Sequence, residues 1–197
     1  SMRLLGVDRV AGVDADVLQI DPRDTLRFGY RVWAEKQTGL TVKMQTLDGQ
    51  GQVIEQMVFS ELQLDAPVKM ETLARQMAKT QGYKILRPQL NSTTAEAQGW
   101  RLKQDVPGFL PMSSHTRGDP AAAPGTVPMQ WVFSDGLSSV SLFVEPYDAQ
   151  RHRREGASAV GATHSLTKRL GDHWLTAMGE VPPATLREFA QSLERLR

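Results

Sequence analysis

The sequence predicts an α+β protein that is mostly antiparallel β-sheet. Residues 26–34 alternate apolar and polar side chains, with the two-residue period of a half-buried strand. Turn sequences separate such runs, and Asp48-Gly49-Gln50-Gly51 is the strongest of them because glycine accepts positive φ values. Apolar residues at helical spacing over 186–196 predict a helix at the end of the chain.

The first half of the chain predicts an antiparallel meander followed by a helix. Four strand-like runs are separated by turn sequences, and they cover about residues 17–20, 26–34, 40–45 and 53–62. A helix is expected after Pro67, because Met70, Leu73, Ala74 and Met77 fall on one face, and Gly82 is its expected stop.

The second half predicts a linker and then a second, small antiparallel-sheet domain. The polar composition of 83–98 indicates a linker between a domain over 1–82 and another over 99–197. A mobile loop is expected between Met112 and Pro128. Further strands are predicted at about 129–134, 139–145, 160–167 and 173–179. Thr185 and Glu188 have the spacing of a capping box for the last helix.

Composition excludes some classes of protein. The 197 residues carry a net charge of +1, so the totals give no reason to expect a polyanion partner. No apolar run approaches the ~20 residues that would span a bilayer. Cysteine is absent, which is compatible with an oxidising compartment. Ser1-Met2 leads directly into strand-like sequence, so we expect a fragment that lacks its natural N-terminal part.

No constellation of residues predicts catalysis, a metal site or a cofactor. The histidines lack the spacing and the acidic partners of a zinc site, and they are His115, His152, His164 and His173. His164 and Ser165 are adjacent on a predicted strand, so their side chains point to opposite faces. Nucleotide-binding loops and nucleophile-elbow motifs are absent from the sequence. The sequence therefore predicts a binding protein.

The densest positive charge lies in one short segment, Arg151-His152-Arg153-Arg154. Arginine forms bidentate, charge-assisted hydrogen bonds with carboxylates and phosphates, which favours a docking patch for an acidic peptide or a lipopolysaccharide headgroup. The alternative is a solvated loop between two strands. Nucleic-acid binding is not expected, because the loop offers neither an insertable helix nor an aromatic platform.

Three elements in order resemble the C-terminal domain of the RseB/MucB family. They are Trp100 with Val106-Pro107-Gly108-Phe109, the run 130–144 with its Ser-Asp-Gly-Leu turn, and Gly179-Glu180-Val181-Pro182. The stretch from Tyr30 to Lys43 is similar to the sheet of LolA- and LolB-type lipoprotein carriers, which the larger RseB domain resembles. The resemblance implies a partial LolA-like half-barrel followed by a small antiparallel-sheet domain with a C-terminal helix.

A half-barrel implies an apolar wall and an open edge. Contact with acyl chains is therefore one interpretation of six residues, with ordinary core packing as the other. These candidate lipid-binding residues are Phe28, Tyr30, Val32, Met44, Met57 and Phe59. The open edge favours pairing with a second copy of the chain.

The resemblance also implies a function and partners. A protein of this family is expected in the periplasm, as a negative regulator of the sigma-E stress response. It would bind the periplasmic segment of an RseA/MucA-like anti-sigma factor, shield it from proteolysis, and sense lipoprotein or lipopolysaccharide acyl chains. The alternative is a LolA/LolB-type lipid carrier. The expected partner contacts are Arg151, His152, Arg153, Arg154 and Phe109, although Phe109 has core packing as its alternative.

Overall fold

The computed structural model describes residues 1–85, 89–119 and 122–196. It confirms an α+β fold that is mostly antiparallel, with a five-stranded sheet, a seven-stranded sheet, a two-stranded sheet and two α-helices among the described residues. The five-stranded sheet is built from the first 58 residues, and the other two sheets from residues 90–195.

The first sheet is a simple meander in which each strand pairs with the next along the chain. Its strands are β1 (Met2–Val10), β2 (Val13–Ile20), β3 (Gly29–Glu35), β4 (Thr41–Leu47) and β5 (Val53–Val58). The Asp48–Gly51 turn joins β4 to β5 as predicted, with Gly51 at φ +78°. Asp48 Oδ1 accepts backbone N–H bonds from Gln50 and Gln52, so the carboxylate organises this turn.

The two faces of the first sheet differ in chemistry. On one face, directly paired side chains form a polar ladder across all five strands: Arg3, Gln19, Arg31, Gln45 and Gln56. The other face carries an apolar row one position away, which consists of Leu4, Leu18, Val32, Met44 and Met57. Because side chains alternate along a strand, a shift of one residue in any pairing would break both sets.

Helix α1 (Met70–Ala78) confirms the predicted helix, although it ends before Gly82. None of its residues is buried, and its apolar face is open, with Met70 and Met77 73% and 82% exposed. The helix therefore adds nothing to the core that the described residues form.

The second sheet has the strand order β11-β12-β13-β10-β9-β8-β6. Its strands are β6 (Leu90–Ser92), β8 (Leu110–Arg117), β9 (Met129–Ser134), β10 (Ser139–Pro146), β11 (Gly156–Val160), β12 (Thr163–Leu170) and β13 (His173–Gly179). Short strands β7 (Trp100–Leu102) and β14 (Leu193–Arg195) pair beside it.

Helix α2 (Pro183–Ser192) covers one face of the second sheet and closes the main core. Phe189 is fully buried and its ring lies 4.8 Å from that of Phe133 and 5.6 Å from that of Phe109. Thr185 is also buried, but the predicted capping box is absent, because the Thr185 hydroxyl donates to Leu26 O at 2.7 Å. The helix ends at Ser192, so the predicted stripe is helical only to that residue.

Three predictions for the second half need correction. The loop prediction is wrong for residues 113–117, which belong to strand β8. The predicted strand over 160–167 is interrupted at Gly161, whose φ of +58° turns the chain between β11 and β12. Strand β6 and a 3-10 helix (Glu96–Gln98) lie inside the predicted linker 83–98, of which 86–88 fall outside the described residues. The division into domains over 1–82 and 99–197 stays a prediction.

The position of Phe189 predicts a large loss of stability on truncation. Phe189→Ala would leave a cavity between α2 and the sheet, and should lower the free energy of unfolding by about 3–5 kcal/mol. Glu188→Ala is the matched control, because Glu188 is exposed and α2 has no side-chain cap bond, so it should change stability by less than about 0.5 kcal/mol. Urea unfolding measures both. A loss above about 1 kcal/mol for Glu188→Ala would show that Glu188 does cap the helix, as the sequence predicted.

Candidate functional site: the junction between the sheets and the faces beside it

Arg27, just before β3, joins the first sheet to the second. Its Nε lies 2.8 Å from Asp135 Oδ2, and its Nη2 donates to Pro107 O at 2.6 Å. Its Nη1 pairs with Asp24, so each nitrogen of the guanidinium has its own partner. The group also lies 4.8 Å from the centre of the Phe109 ring. A planar group with fixed donor directions is suited to such a junction.

Gly108 leaves the space in which the Arg27 guanidinium lies. A Cβ at this position would come 2.1 Å from Arg27 Nη2, and the backbone has φ +78°. Both constraints require glycine. The neighbouring Phe109 is 4% exposed and belongs to the main core. Phe109 was predicted either to pack or to present its ring to a partner, and the structure places it in the packed position.

Asp135, in the turn between β9 and β10, is the buried acid of this junction. Burial alone would raise the pKa of Asp135. Backbone N–H bonds from Ser138 and Leu137, the Ser138 hydroxyl and the Arg27 charge outweigh it and hold the pKa below its usual range. The carboxylate therefore stays ionised opposite Arg27.

Other contacts extend the junction in both directions. Glu55 Oε2 in β5 accepts a 2.8 Å hydrogen bond from the Ala162 backbone N–H in the β11–β12 turn. The Phe28 ring lies 5.7 Å from that of His164. Burial first, and then the negative charges of Asp135 and Glu180, raise the pKa of Tyr30. Side chains far apart in sequence thus meet along one seam.

A cavity of about 680 Å³ opens along this seam. Its lining combines acidic residues, Arg27 and His164 with apolar groups of the first sheet and of the start of α2: Asp21, Asp24, Asp48, Phe28, Leu47, Ile54, Pro182 and Pro183. The space is large enough for several side chains of a bound peptide.

The candidate lipid-binding residues divide into two groups. Phe28 and Tyr30 are 7% and 6% exposed and contact groups of the second sheet. Val32 and Met44 are half-buried members of the apolar row, which ends at Met57, 56% exposed. Phe59 lies just beyond β5 and is 42% exposed. The structure therefore leaves only part of the predicted set open to an acyl chain.

The four residues of the basic segment have different surroundings. His152 is buried, with its ring stacked 4.9 Å from Trp174. Its Nδ1 accepts the Asp148 N–H at 3.0 Å, so Nε2 carries the proton and donates to Glu145 at 2.8 Å. Arg151 pairs with the same Glu145 carboxylate at 3.1 Å. The prediction that His152 offers charge to a partner is therefore corrected, because the ring anchors the loop.

Arg153 and Arg154 are the exposed cations of this loop. Arg153 Nε donates to Gln150 O at 3.1 Å, and Arg154 lines an open groove beside β11. Neither forms an ion pair with any residue that the structure describes. Of the four residues of the predicted docking patch, Arg153 and Arg154 are therefore the two whose charges are open to a partner.

The contacts of the remaining histidines could not be predicted from the sequence. His173 is buried, with Nε2 2.9 Å from Gly125 O and Nδ1 2.8 Å from Arg195 Nη1, so it ties β14 to the sheet. His115, predicted in a mobile loop, lies in β8. His164 and Ser165 have separate partners, Ala162 O at 3.1 Å and Ser158 Oγ at 2.8 Å. Among the described residues no group of three or more potential ligands could hold a metal ion.

The fold and the junction define a class of proteins in which an amphipathic antiparallel sheet is joined through a polar seam to a second, helix-covered sheet. Comparison with known proteins identifies the particular family. The chain belongs to the MucB/RseB family, since the model of the MucB/RseB N-terminal domain matches residues 1–77 and that of the C-terminal domain matches residues 94–194. The predicted resemblance is confirmed.

Named relatives carry regulatory descriptions. The sigma factor AlgU regulatory protein MucB of Pseudomonas aeruginosa is 31% identical over 205 residues, which cover 98% of this chain and 60% of that protein. The sigma-E factor regulatory protein RseB of Escherichia coli K12 is 26% identical over 198 residues, covering 96% and 58%. The chain thus spans about 60% of the length of these relatives.

Solved structures agree with the fold. A crystal structure of MucB in complex with MucA(peri) matches with a TM-score of 0.77 and 30% identity, covering 100% of this chain and 68% of that one. A crystal structure of MucB alone matches with a TM-score of 0.68 and 26% identity, covering 98% and 62%. No helix among the described residues is long and apolar enough to cross a membrane.

Asp135→Asn should reveal the charge pairing at the junction. Asparagine keeps an acceptor for the Leu137 and Ser138 amides but removes the charge that faces Arg27. Because the pKa of Asp135 is lowered in the folded state, its ionised form stabilises the fold above about pH 4, and this contribution is lost as pH falls through the lowered value. The destabilisation by the variant should be largest at pH 7.

Urea unfolding at several pH values between 7 and 3 measures this dependence. Asp65→Asn, at an exposed carboxylate, is the control and should show a small effect at every pH. A loss of stability for Asp135→Asn that is the same at pH 7 and pH 3 would contradict a role for the charge.

Proposed function

We propose that this chain belongs to a periplasmic negative regulator of a sigma-E-type stress response. It binds the periplasmic segment of a membrane-bound, MucA-like anti-sigma factor and shields that segment from proteolysis. The observation that carries the proposal is the likeness to MucB in complex with MucA(peri), which covers 100% of this chain at a TM-score of 0.77. We propose further that residues 1–82 and 99–197 are two domains with separate contributions to binding.

The seam between the sheets supports peptide binding. Its cavity of about 680 Å³ offers carboxylates, one guanidinium and apolar walls in one space, which suits a peptide better than a small apolar ligand. Arg153 and Arg154 add positive charge outside the cavity, where they would attract an acidic partner. A role in catalysis is not proposed, because His164 and Ser165 are turned to different partners.

Lipid sensing is assigned to the open end of the apolar row. Met57 and Phe59 are exposed and follow the half-buried Val32 and Met44, so an acyl chain would find a continuous apolar path across β3, β4 and β5. Release of the anti-sigma segment then requires that the lipid bind the peptide-free form more tightly than the peptide-bound form. A simple lipid carrier is the alternative function, but it would have no use for the second sheet and its basic loop.

The proposed regulatory function is tested by measuring how this chain binds the periplasmic segment of the MucA-type anti-sigma factor from the same organism. We expect Arg153→Ala with Arg154→Ala to weaken binding on the order of tenfold at about 50 mM salt, and by less than about twofold at 0.5 M, because salt screens exposed charges. Isothermal titration calorimetry measures both affinities. Lys79→Ala with Lys84→Ala removes the same charge from exposed positions elsewhere and should leave binding unchanged. No binding by the unaltered chain would refute the proposed function.

The lipid assignment is tested by adjacent residues on opposite faces of β5. Met57→Asp places a charge in the apolar row and should weaken binding of a fluorescent triacylated lipopeptide by about ten- to a hundredfold, as expected when about 1.5–3 kcal/mol of apolar burial is lost. Gln56→Asp makes the same change in the polar ladder and should leave binding within about twofold. An equal loss of lipopeptide affinity in both variants would show that the apolar row is not the lipid-binding surface.

A further inference from the structure

Strand β11 (Gly156–Val160) is an open edge of the second sheet. It is the first strand in the order of that sheet, and among the described residues only β12 pairs with it. All five of its residues are exposed, and Val160 is 83% exposed. Natural edge strands are commonly guarded by charges, proline or a bulge. The sequence Gly-Ala-Ser-Ala-Val has no charge or proline, and its register with β12 has no bulge.

The turn into β12 determines which backbone groups face outward. Val160 pairs with Thr163 across the two-residue turn Gly161–Ala162. The pair that closes such a hairpin exchanges both hydrogen bonds, and bonded pairs alternate along the strand. Gly156, Ser158 and Val160 therefore bond to β12, whereas Ala157 and Ala159 direct their N–H and C=O groups away from the sheet.

Two open grooves follow β11, one on each face. The side chains of Ala157 and Ala159 line a groove of about 310 Å³ together with Leu166, Pro183 and Leu186. The opposite face has a groove of about 520 Å³ along Gly156 and Ser158, with Ser165 and Thr167. An added strand alternates its side chains between the two faces, so it would place one set in an apolar groove and the other in a polar groove.

Each groove carries an arginine without an acidic partner. Arg154 lines the polar groove and Arg187 of α2 lines the apolar one, and neither forms an ion pair within the part of the chain that the structure describes. Glu155 also lines the polar groove, and its Oε1 accepts the Arg169 backbone N–H at 2.8 Å, so one carboxylate lies in the same groove as Arg154. The apolar groove has Arg187 and no acidic residue in its lining. The two arginines outnumber the one acid along β11, so the charge of this surface favours an acidic occupant.

We propose that β11 is a β-augmentation site for an extended acidic segment of the peptide partner. The segment pairs with the outward groups of Ala157 and Ala159, which supplies four backbone hydrogen bonds. Small apolar side chains enter the groove towards Leu186, and carboxylates meet Arg154 and Arg187. Backbone pairing gives affinity and alternate side chains give specificity in this mode of recognition. The inference rests on the proposed function, because its occupant is the anti-sigma segment.

Amide hydrogen exchange with the same anti-sigma periplasmic segment tests the pairing directly. We expect exchange at the Ala157 and Ala159 amides to slow at least about tenfold on binding, because outward N–H groups become hydrogen-bonded. If the chain binds the segment and these amides keep their exchange rates, the β11 site is wrong while the proposed function stands. If the chain does not bind the segment, both are wrong. Protection that grows with chain concentration without peptide would assign the edge to a second copy and overturn the peptide site.

A proline variant isolates the backbone contribution. Ala159→Pro removes an outward N–H while leaving the bonds to β12, a placement that edge strands tolerate. It should weaken binding by at least about tenfold, which corresponds to about 1.4 kcal/mol. Ala159→Ser keeps the N–H and should bind within about threefold of the unaltered chain. Circular dichroism and thermal unfolding verify that both variants fold. Equal affinity of the proline and serine variants would refute strand pairing.

Discussion

The Arg27 guanidinium fixes the position of the first sheet relative to the second. Its three nitrogens reach Asp24 in its own sheet segment and both Asp135 and Pro107 O in the second. Removing the Arg27 charge would leave the Asp135 carboxylate, whose side chain is only 7% exposed, without its cation, so the cost would exceed that of one lost surface pair. Gly108 makes the approach sterically possible. The seam cavity, the burial of Tyr30 and the contact of Phe28 with His164 all depend on this placement.

Local patterns in the sequence predict β2 to β5 of the first sheet, but not β1 (Met2–Val10), which lies outside the four predicted runs. The alternation over 26–34 predicts β3, although the strand begins only at Gly29, and the glycines after Asp48 predict the turn into β5. The second sheet was harder to predict because its edge strand β11 is made of small residues with no hydrophobic alternation. Residues 113–117 have loop-like composition, but they belong to β8 because β9 supplies their backbone hydrogen bonds. Tertiary pairing overrides local propensity at both places.

Composition predicted the basic loop, but not how its side chains divide between roles. Glu145 lies in β10, and its carboxylate engages both Arg151 and His152. His152 is further fixed by stacking on Trp174. A run of like charges therefore separates into an anchored pair and two cations that form no ion pair with the described residues, once the strand that carries Glu145 is folded beside it. Contacts such as Thr185 to Leu26 O, which span 159 residues, leave no trace in a sequence pattern.

Strand β3 connects the lipid and peptide halves of the proposed function. Val32 belongs to the apolar row, and Tyr30, two residues earlier on the same face, is buried against the acidic groups of the second sheet. A ligand that contacts Val32 in the apolar row would therefore lie beside Tyr30, which is the next side chain on that face of β3 and belongs to the seam. Its effect on a bound peptide depends on a difference in affinity between the two states of the seam, and any ligand that binds both equally would leave the peptide in place. The same linkage requires the peptide to weaken lipid binding by the factor with which lipid weakens peptide binding.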